Sequence, residues 1–319
     1  MHVCVLGDLQ DLGAVYIAWI ARQHGCTVVE LPEEGLGTAW EYTLDSSGRG
    51  TLQVGDMLLS WEQIAGVFVR MSPEPSLPRG LRLNEHHRLG FLHERREGIH
   101  QLLESVACTV VNRPSAGRSN ASKPYQMAEL EAAGFDVPRW IVSNSAEAVR
   151  AFASECRGQA IFKASSGLRS RVRKVDAQLI ERMSAGTTPT VVQEYVPGTD
   201  VRVHTVERQA FACEVSGTGV DYRFEHQGAR YAGTLIPNEL AEQCCGFAEA
   251  TGLTLAGFDF RRSPCGRYRC LEMNPVPSFL PYEFSSGRPV GAAVVRALMR
   301  GGQRALRREI VPSTHGSLE

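Results

Sequence analysis

The chain contains very little lysine. Of its 34 basic residues only Lys123, Lys163 and Lys174 are lysines, and the other 31 are arginines. A lysine ammonium is a compact charge on a flexible stem and can act as a point charge on a phosphate, whereas arginine presents a rigid planar fork. A lysine that persists against this bias, such as Lys163 in the stretch AIFKASSGLRSR, is therefore a candidate phosphate ligand. The alternative is that the three lysines are left over from a drift in codon usage and have no common role.

Other features that would indicate a class of function are also missing. The formal net charge of −1 gives no electrostatic argument for nucleic acid or an anionic membrane as a partner. No apolar run approaches the roughly 18 residues that span a bilayer, and the start of the chain lacks the pattern of a signal peptide. The nine cysteines include no C-x-x-C pair, which favours reduced thiols over a disulfide framework. We therefore expect a cytoplasmic protein that binds neither nucleic acid nor membrane.

Strand-like and helix-like segments alternate over the first part of the chain. The run HVCVLG is typical of a buried strand, and Leu12, Val15 and Trp19 follow it at helical spacing. Further strand-like runs are TVVEL, AGVFVRM and CTVVN, and a charged helix precedes the last of them. This alternation indicates a parallel α/β sheet, so we predict a Rossmann-like domain over residues 1–112. Because no G-x-G-x-x-G follows the first strand, a dinucleotide site is not expected there.

The pattern changes after residue 112. A polar loop leads into helices and the strand AIFKA, and from about residue 190 strands dominate until a last helix. We interpret the chain as mixed α/β and α+β structure. The remaining boundaries are predicted at 113–190 and 191–310, with a tail at 311–319.

The final hairpin, AGFDFRRSPCGRYRCLEMNP, carries the most informative side chains. Alternate side chains of a strand share a face, so Glu272 and Asn274 point together while Met273 points into the core. The short turn pairs the two strands antiparallel and places Asp259 across from Glu272. Two carboxylates and one amide oxygen are hard ligands that suit Mg²⁺. The alternative is that these polar residues lie on the solvent face of an antiparallel hairpin.

The order of these features resembles the ATP-grasp superfamily and, within it, the RimK-like ligases that join a carboxylate to an amine. The resemblance covers about residues 112–305, and the combination of motifs is far more specific than any single one. The stretches that carry it are SNASKPYQMAELEAAGFDVP, AIFKASSG, QEYVPGTDVRV, DYR at 221–223, AGFDF, LEMNP and YEFSSGRPV. The resemblance implies an ATP-grasp fold that follows an N-terminal Rossmann-like domain, the pre-ATP-grasp domain.

The resemblance also implies a site for ATP and two Mg²⁺ ions. Lys123 and Lys163 resemble the two ATP lysines of the family, and the small-residue loop after the second would bind phosphate. That loop contains Ser165, Ser166 and Gly167. It departs from the family, because many ATP-grasp enzymes have several glycines there and this chain has one. The hinge that would meet the nucleotide contributes Glu194, Tyr195, Val196 and Asp200, and the ions would be held by Asp259, Glu272 and Asn274.

Two arginines are the catalytic candidates that the resemblance implies. Arg223, in DYR, and Arg202 would stabilise the transferred phosphate and the acyl-phosphate transition state. For Arg202 an alternative is a structural ion pair with Asp200 or Glu194. Lys174 lies among arginines on a strand that alternates with valine, and we expect it to be a solvated charge.

The implied activity is an ADP-forming ligase that converts a carboxylate into an acyl phosphate and joins it to an amine. An alternative is a maturase similar to graspetide ligases, which crosslink side chains of a ribosomal precursor peptide. A further alternative is a non-catalytic ATP-binding module. Arg70, in the R-M-S-P element at the end of a strand, is a candidate substrate contact. The alternative is that the element only marks the point where the strand ends and a loop begins. The implied partners are small-molecule or peptide substrates, with self-association as a default for such enzymes.

Overall fold

A computed structural model describes residues 1–73, 75–78, 80–164, 172–183, 188–216 and 230–310. Its strands are β1 (His2–Gly7), β2 (Thr27–Pro32), β3 (Trp40–Tyr42), β4 (Thr51–Val54), β5 (Met57–Ser60), β6 (Ile64–Arg70), β7 (Thr109–Val111), β8 (Trp140–Ser143), β9 (Ala160–Ala164), β10 (Arg173–Lys174), β11 (Thr190–Glu194), β12 (Thr199–Val206), β13 (Gln209–Ser216), β14 (Arg230–Gly233), β15 (Leu255–Arg262) and β16 (Tyr268–Asn274). Its α-helices are α1 (Leu12–Gln23), α2 (Glu85–Ser105), α3 (Lys123–Ala132), α4 (Ala146–Glu155), α5 (Ala177–Met183), α6 (Asn238–Ala250), α7 (Leu280–Ser286) and α8 (Val290–Ile310). Short 3₁₀ helices cover Glu33–Gly35, Trp61–Gln63 and Pro114–Ala121.

The chain divides into two compact units. Unit 1 contains Met1–Ser115, Gly252–Leu255 and the described residues from Pro289 onward, and unit 2 contains Ala116–Thr251 and Ala256–Arg288. The mixed α/β class predicted from the sequence is confirmed. Helix α8 lies in the same unit as the N-terminal strands, and the boundaries at 112, 190 and 310 stay predictions. None of the helices in the described ranges combines the length and the apolar character that a bilayer crossing requires.

Unit 1 is built on a four-stranded parallel sheet in the order β2-β1-β6-β7. The strands β1 and β6 are almost continuously buried, as expected for a parallel sheet with both faces covered. Helix α8 packs on β6, and a Cβ added to Gly66 would lie 2.8 Å from the Leu298 side chain. A small antiparallel sheet, β3-β4-β5, was not predicted. The Rossmann-like assignment of residues 1–112 stays a prediction.

An ion pair joins the ends of β6 and α1 in unit 1. Arg70 Nε and Nη2 donate to the two carboxylate oxygens of Asp11 at 3.1 and 2.8 Å, and Asp11 also caps α1 by accepting from the Ala14 N–H. Burial alone would raise the pKa of Asp11, but the hydrogen bonds and charge of Arg70 outweigh it and hold that pKa below its ordinary value. Arg70 therefore contributes to the fold of unit 1, whatever it does toward a substrate.

Replacing Asp11 by Asn is expected to lower the free energy of unfolding by about 1–2 kcal/mol at neutral pH. Asn is as good an N-cap as Asp, so the change removes the charge and leaves the cap. A carboxylate with a depressed pKa stabilises the fold above its unfolded pKa and loses that contribution as the pH falls through its folded pKa. Urea unfolding at a series of pH values should therefore show the two proteins converging below about pH 4. A difference that does not depend on pH would contradict this account.

Unit 2 contains two sheets with their helices. One has the order β10-β9-β11-β8 and the other the order β14-β13-β12-β15-β16. The aromatic rings of Phe135, Phe247, Phe258 and Phe260 pack on one another at centroid distances of 5.7 to 6.3 Å. Phe258 and Phe260 belong to β15, so this cluster supports the strand that carries Asp259.

Candidate functional site

A cleft with about 610 Å³ of empty volume lies within unit 2. Its apolar lining comes from Ile161, Val172, Val196, Val201, Phe260 and Leu271, and its polar lining from Lys163, Glu194, Asp200, Asp259, Arg261 and Glu272, with Tyr195 between. Seven residues predicted from the sequence are therefore brought to one place: Lys163, Glu194, Tyr195, Val196, Asp200, Asp259 and Glu272. An apolar slot beside several charged groups is the usual composition of a site for a charged small molecule.

The β15–β16 hairpin places two carboxylates side by side. Asp259 pairs with Glu272 in the antiparallel register, and both side chains line the cleft. Phe258 and Met273 on the opposite face are fully buried. The predicted pairing and the inward direction of Met273 are confirmed. Asn274, two residues after Glu272, accepts a hydrogen bond from the Val276 N–H at 2.9 Å.

Each of these carboxylates lies against a cation. Arg202 Nη1 is 2.7 Å from Asp259 Oδ1, and Lys123 Nζ is 3.7 Å from Glu272 Oε2. The sequence suggested Asp200 or Glu194 as partners for Arg202, whereas this ion pair joins it to Asp259 on the neighbouring strand β15. Asp200 forms an ion pair with Arg261 at 3.2 Å.

The donor set fits Mg²⁺. Two facing carboxylates and a nearby amide supply hard oxygen ligands, and Mg²⁺ usually takes only one or two carboxylates and completes its shell with water and phosphate. Among the described residues no group of three His, Cys, Asp or Glu side chains is placed to hold a metal. Burial first, and then nearby Cys244 and the two carboxylates, raise the pKa of the buried Cys270 thiol on β16 well above the usual range.

The lysines occupy three different settings. Lys123 is the first residue of α3, where Ser122 caps the helix. Lys163 on β9 is only 6% exposed and faces the cleft. Lysine side chains are rarely buried to this extent unless they are paired with another group. Lys174 on β10 is exposed, and its Nζ lies 5.6 Å from the centroid of the Tyr195 ring.

Three arginines contact the last residue of β11 and the loop that follows it. Glu194 Oε2 lies 3.5 Å from Arg269 Nη2 and 3.7 Å from Arg139 Nε. The guanidinium of Arg261 lies over the Tyr195 ring at 5.7 Å and donates to the Gly198 carbonyl at 2.8 Å. Sequence reasoning missed Arg261, Arg269 and Arg139. The signal available for Arg261 was its place two residues after Asp259, on the same face of β15.

Some predicted residues are not placed in this cleft. Ser165, Ser166, Gly167 and Arg223 lie outside the described residues. Arg70 is part of unit 1, in the ion pair with Asp11. The described cleft therefore contains Lys163, the hinge residues and the carboxylate pair. Lys123 and Arg202 contact those carboxylates, and Asn274 ends the strand that carries Glu272.

Comparison with known proteins finds similarity in structure. No family model matches the sequence, and no curated protein matches it. The ATP-grasp ligase PsnB complexed with a minimal precursor has a TM-score of 0.78 at 28% identity, over 94% of this chain and 98% of that one. PsnB with a phosphomimetic precursor variant, Mg and ADP has a TM-score of 0.79 at 27% identity, with the same coverage.

A third solved structure shares the fold at lower identity. The macrocyclase MdnC of Microcystis aeruginosa MRC, bound with its precursor peptide MdnA, has a TM-score of 0.80 at 20% identity. The similarity covers 94% of this chain and all of MdnC. All of these alignments extend over nearly the whole chain, so the similarity includes both units.

Proposed function

We propose that this chain, which belongs to the ATP-grasp superfamily and is related to the graspetide-type ligases, is an ADP-forming ligase that activates a carboxylate of a peptide. The observation that carries the proposal is the pairing of Asp259 with Glu272 in the cleft that Lys163 also lines. A peptide is the preferred substrate because the chain is similar over its length to PsnB, which is complexed with its precursor. The attacking nucleophile would be an amine or hydroxyl of the same peptide.

The cleft offers a place for each part of ATP. The apolar side chains, with the backbone after Glu194, would take the adenine. Lys163 and Lys123 would take phosphate oxygens, because an ammonium is well suited to act as a point charge there. Lys123 would have to leave Glu272 to do so, and its long flexible stem permits this. Ser165, Ser166 and Gly167 keep their proposed part in the phosphate loop.

Asp259, Glu272 and Asn274 would hold Mg²⁺. When bound, the ions neutralise charge on the phosphate oxygens and lower the cost of bringing a carboxylate to them. Arg202 would keep Asp259 oriented and add positive charge beside it. Arg223 keeps its proposed role at the transferred phosphate. The protein's contribution to such a transfer is mainly position and charge.

The proposed reaction has two steps. A carboxylate oxygen of the substrate attacks the γ-phosphorus of ATP, the bond from that phosphorus to the bridging oxygen breaks, and ADP leaves. The nucleophile then attacks the carbonyl carbon of the acyl phosphate, the carbon–oxygen bond to phosphate breaks, and inorganic phosphate leaves. The proton of the nucleophile passes to solvent. An amide or ester bond is formed and ATP is converted to ADP and phosphate.

The test is to incubate the chain with ATP, Mg²⁺ and candidate peptides that contain Asp or Glu together with Ser, Thr or Lys. ADP, phosphate and a peptide lighter by one water per bond would support the proposal. AMP and pyrophosphate would refute the acyl-phosphate route. A product formed only from free amino acids would point to a small-molecule ligase, and nucleotide binding without turnover with any substrate to a binding module.

A labelling experiment tests the nucleotide site without turnover. Reductive methylation with mass analysis can follow every amine, since the chain has three lysines and an N-terminus. Labelling of Lys123 is expected to fall several-fold when Mg²⁺ and a non-hydrolysable ATP analogue are added, because its Nζ would exchange Glu272 for phosphate. The amine of Met1, in unit 1, is the internal reference. Unchanged labelling of Lys123 at saturating nucleotide would contradict the assignment.

A further inference from the structure

Four residues of unit 2 surround the guanidinium of Arg202, and we call them the Arg202 cage. Asp259 Oδ1 lies 2.7 Å from Nη1, the centroid of the Tyr282 ring lies 5.7 Å from Cζ, and His204 Nε2 lies 3.4 Å from Nε. The fourth residue is Gly257, where a Cβ would lie 2.6 Å from Nη2. The Arg202 side chain is 6% exposed.

Gly257 leaves the space that the Arg202 guanidinium occupies. Its position in the strand does not require a glycine for backbone reasons, because its φ is not positive. The requirement is steric, since a Cβ there would also lie 2.7 Å from the Pro277 side chain. The absence of a side chain leaves room for the guanidinium beside β15, where it contacts Asp259 two residues later.

His204 lies on the same strand as Arg202 and contacts its side chain. It is 1% exposed, and burial, followed by the charge of Arg202, keeps its pKa well below the usual range. The ring is therefore neutral beside the arginine. Its Nε2 lies 3.0 Å from the Ser278 carbonyl oxygen, to which it donates in the Nε2–H tautomer. It lies 3.4 Å from Arg202 Nε, from which it accepts in the Nδ1–H tautomer. The contact with Ser278 links β12 to the loop that follows Asn274.

Tyr282 closes the cage from α7. Its ring faces Arg202 and makes T-shaped contacts with the rings of His204 at 5.0 Å and Tyr231 at 5.2 Å. An arginine over an aromatic face gains from the ring quadrupole, and most where water is excluded. The ring is thus itself fixed by two neighbours, so the guanidinium meets a rigid surface.

We propose that Tyr282 and His204 are positioning residues for the nucleotide–metal site, which hold Arg202 on Asp259 and so fix the carboxylate that faces Glu272. The inference rests on the proposed function, because it gives that carboxylate the task of binding Mg²⁺. Partners that orient a metal ligand before the metal arrives improve affinity, since the ligand needs no reorganisation on binding. The cage would also couple α7 and the loop after Asn274 to the metal site.

The test compares Tyr282→Leu with Tyr282→Phe. Leu keeps apolar volume and removes the aromatic face, whereas Phe keeps the face and removes only the hydroxyl. With a non-hydrolysable ATP analogue present, Mn²⁺ affinity measured from the EPR signal of free Mn²⁺ is expected to fall about tenfold or more in Tyr282→Leu. Tyr282→Phe is expected to keep an Mn²⁺ affinity close to that of the unchanged protein. Melting temperatures of both variants show whether the fold is retained.

Gly257→Ala provides a second test if Tyr282→Leu does not fold. It keeps the ring and the histidine but crowds both the guanidinium and the Pro277 side chain, so a folded variant should show a similar loss of Mn²⁺ affinity. His204→Phe should do the same in part, because it removes the bond to Ser278 and keeps the ring edge.

The outcomes separate the inference from the function on which it rests. If the unchanged protein binds nucleotide but no Mn²⁺, the proposed metal site fails and the inference fails with it. If the unchanged protein binds Mn²⁺ and the folded variants bind it equally well, only the inference is overturned. Equal losses in Tyr282→Leu and Tyr282→Phe would assign the effect to the hydroxyl and also overturn positioning by the ring.

Discussion

Replacing Glu272 by Gln is expected to lower turnover of ATP by about 10³-fold. Glu272 stands directly opposite Asp259 in the register of the hairpin, so its loss leaves one carboxylate where a metal would be held by two. Gln keeps the shape and one oxygen but not the charge that Mg²⁺ prefers. The Glu272 side chain lines the cleft and is not part of the aromatic cluster, so the fold should survive.

The measurement is the rate of ADP formation as a function of Mg²⁺ concentration. The variant should require more Mg²⁺ and still reach a much lower maximal rate, because the ion that binds is less well placed. Glu249→Gln is a matched control, since Glu249 on α6 is 67% exposed and pairs with Arg208 at 3.3 Å outside the cleft. Its rate should be unchanged. Near-normal turnover of Glu272→Gln at ordinary Mg²⁺ would remove Glu272 from the metal site.

The hairpin that carries Glu272 could be predicted because its information is local. A period of two along each strand and a short turn between them determine which side chains face each other. Asp259, Glu272 and Met273 follow from this rule without knowledge of any other element. Lys163, the fourth of the five residues of β9, could be singled out by the scarcity of lysine and by the family resemblance.

The partners of the charged residues could not be predicted, because they come from distant parts of the chain. Arg202 is closer in sequence to Asp200 and Glu194 than to Asp259, yet the order β12-β15 within the sheet brings it to Asp259. Glu194 likewise meets Arg269 from β16. Periodicity fixes the face of a strand that a residue occupies, but the neighbouring strand is decided by the packing of the whole unit.

Two features of unit 1 show the same limit. The strands β3, β4 and β5 are short and separated by turns with Gly48 and Gly55, so no run was long enough to give a strand pattern. Helix α8 was expected from its own sequence, but its packing on β6 depends on the space that Gly66 leaves for Leu298. A glycine in an apolar strand is a weak signal for a close approach until the approaching element is known.

Replacing Lys163 by Arg is expected to lower kcat/KM for ATP by about 10²-fold, although the charge is kept. Lys163 lies on β9 opposite the fully buried Val191 of β11, so little room surrounds its stem. A planar guanidinium is longer and bulkier than an ammonium. It would either intrude on the nucleotide or turn away from the phosphate, and both outcomes weaken the interaction.

Lys163→Met and Lys174→Arg complete the comparison. Met has a similar volume without charge, so it should lose at least as much activity as Arg if the ammonium binds phosphate. Lys174 is exposed, and an arginine there can keep the contact with the Tyr195 ring, so a change within about twofold is expected. Rates are measured at saturating Mg²⁺, with melting temperatures to confirm that each variant is folded. Full activity of Lys163→Arg would mean that the site needs only a positive charge, and the scarcity of lysine would then carry no information about phosphate binding.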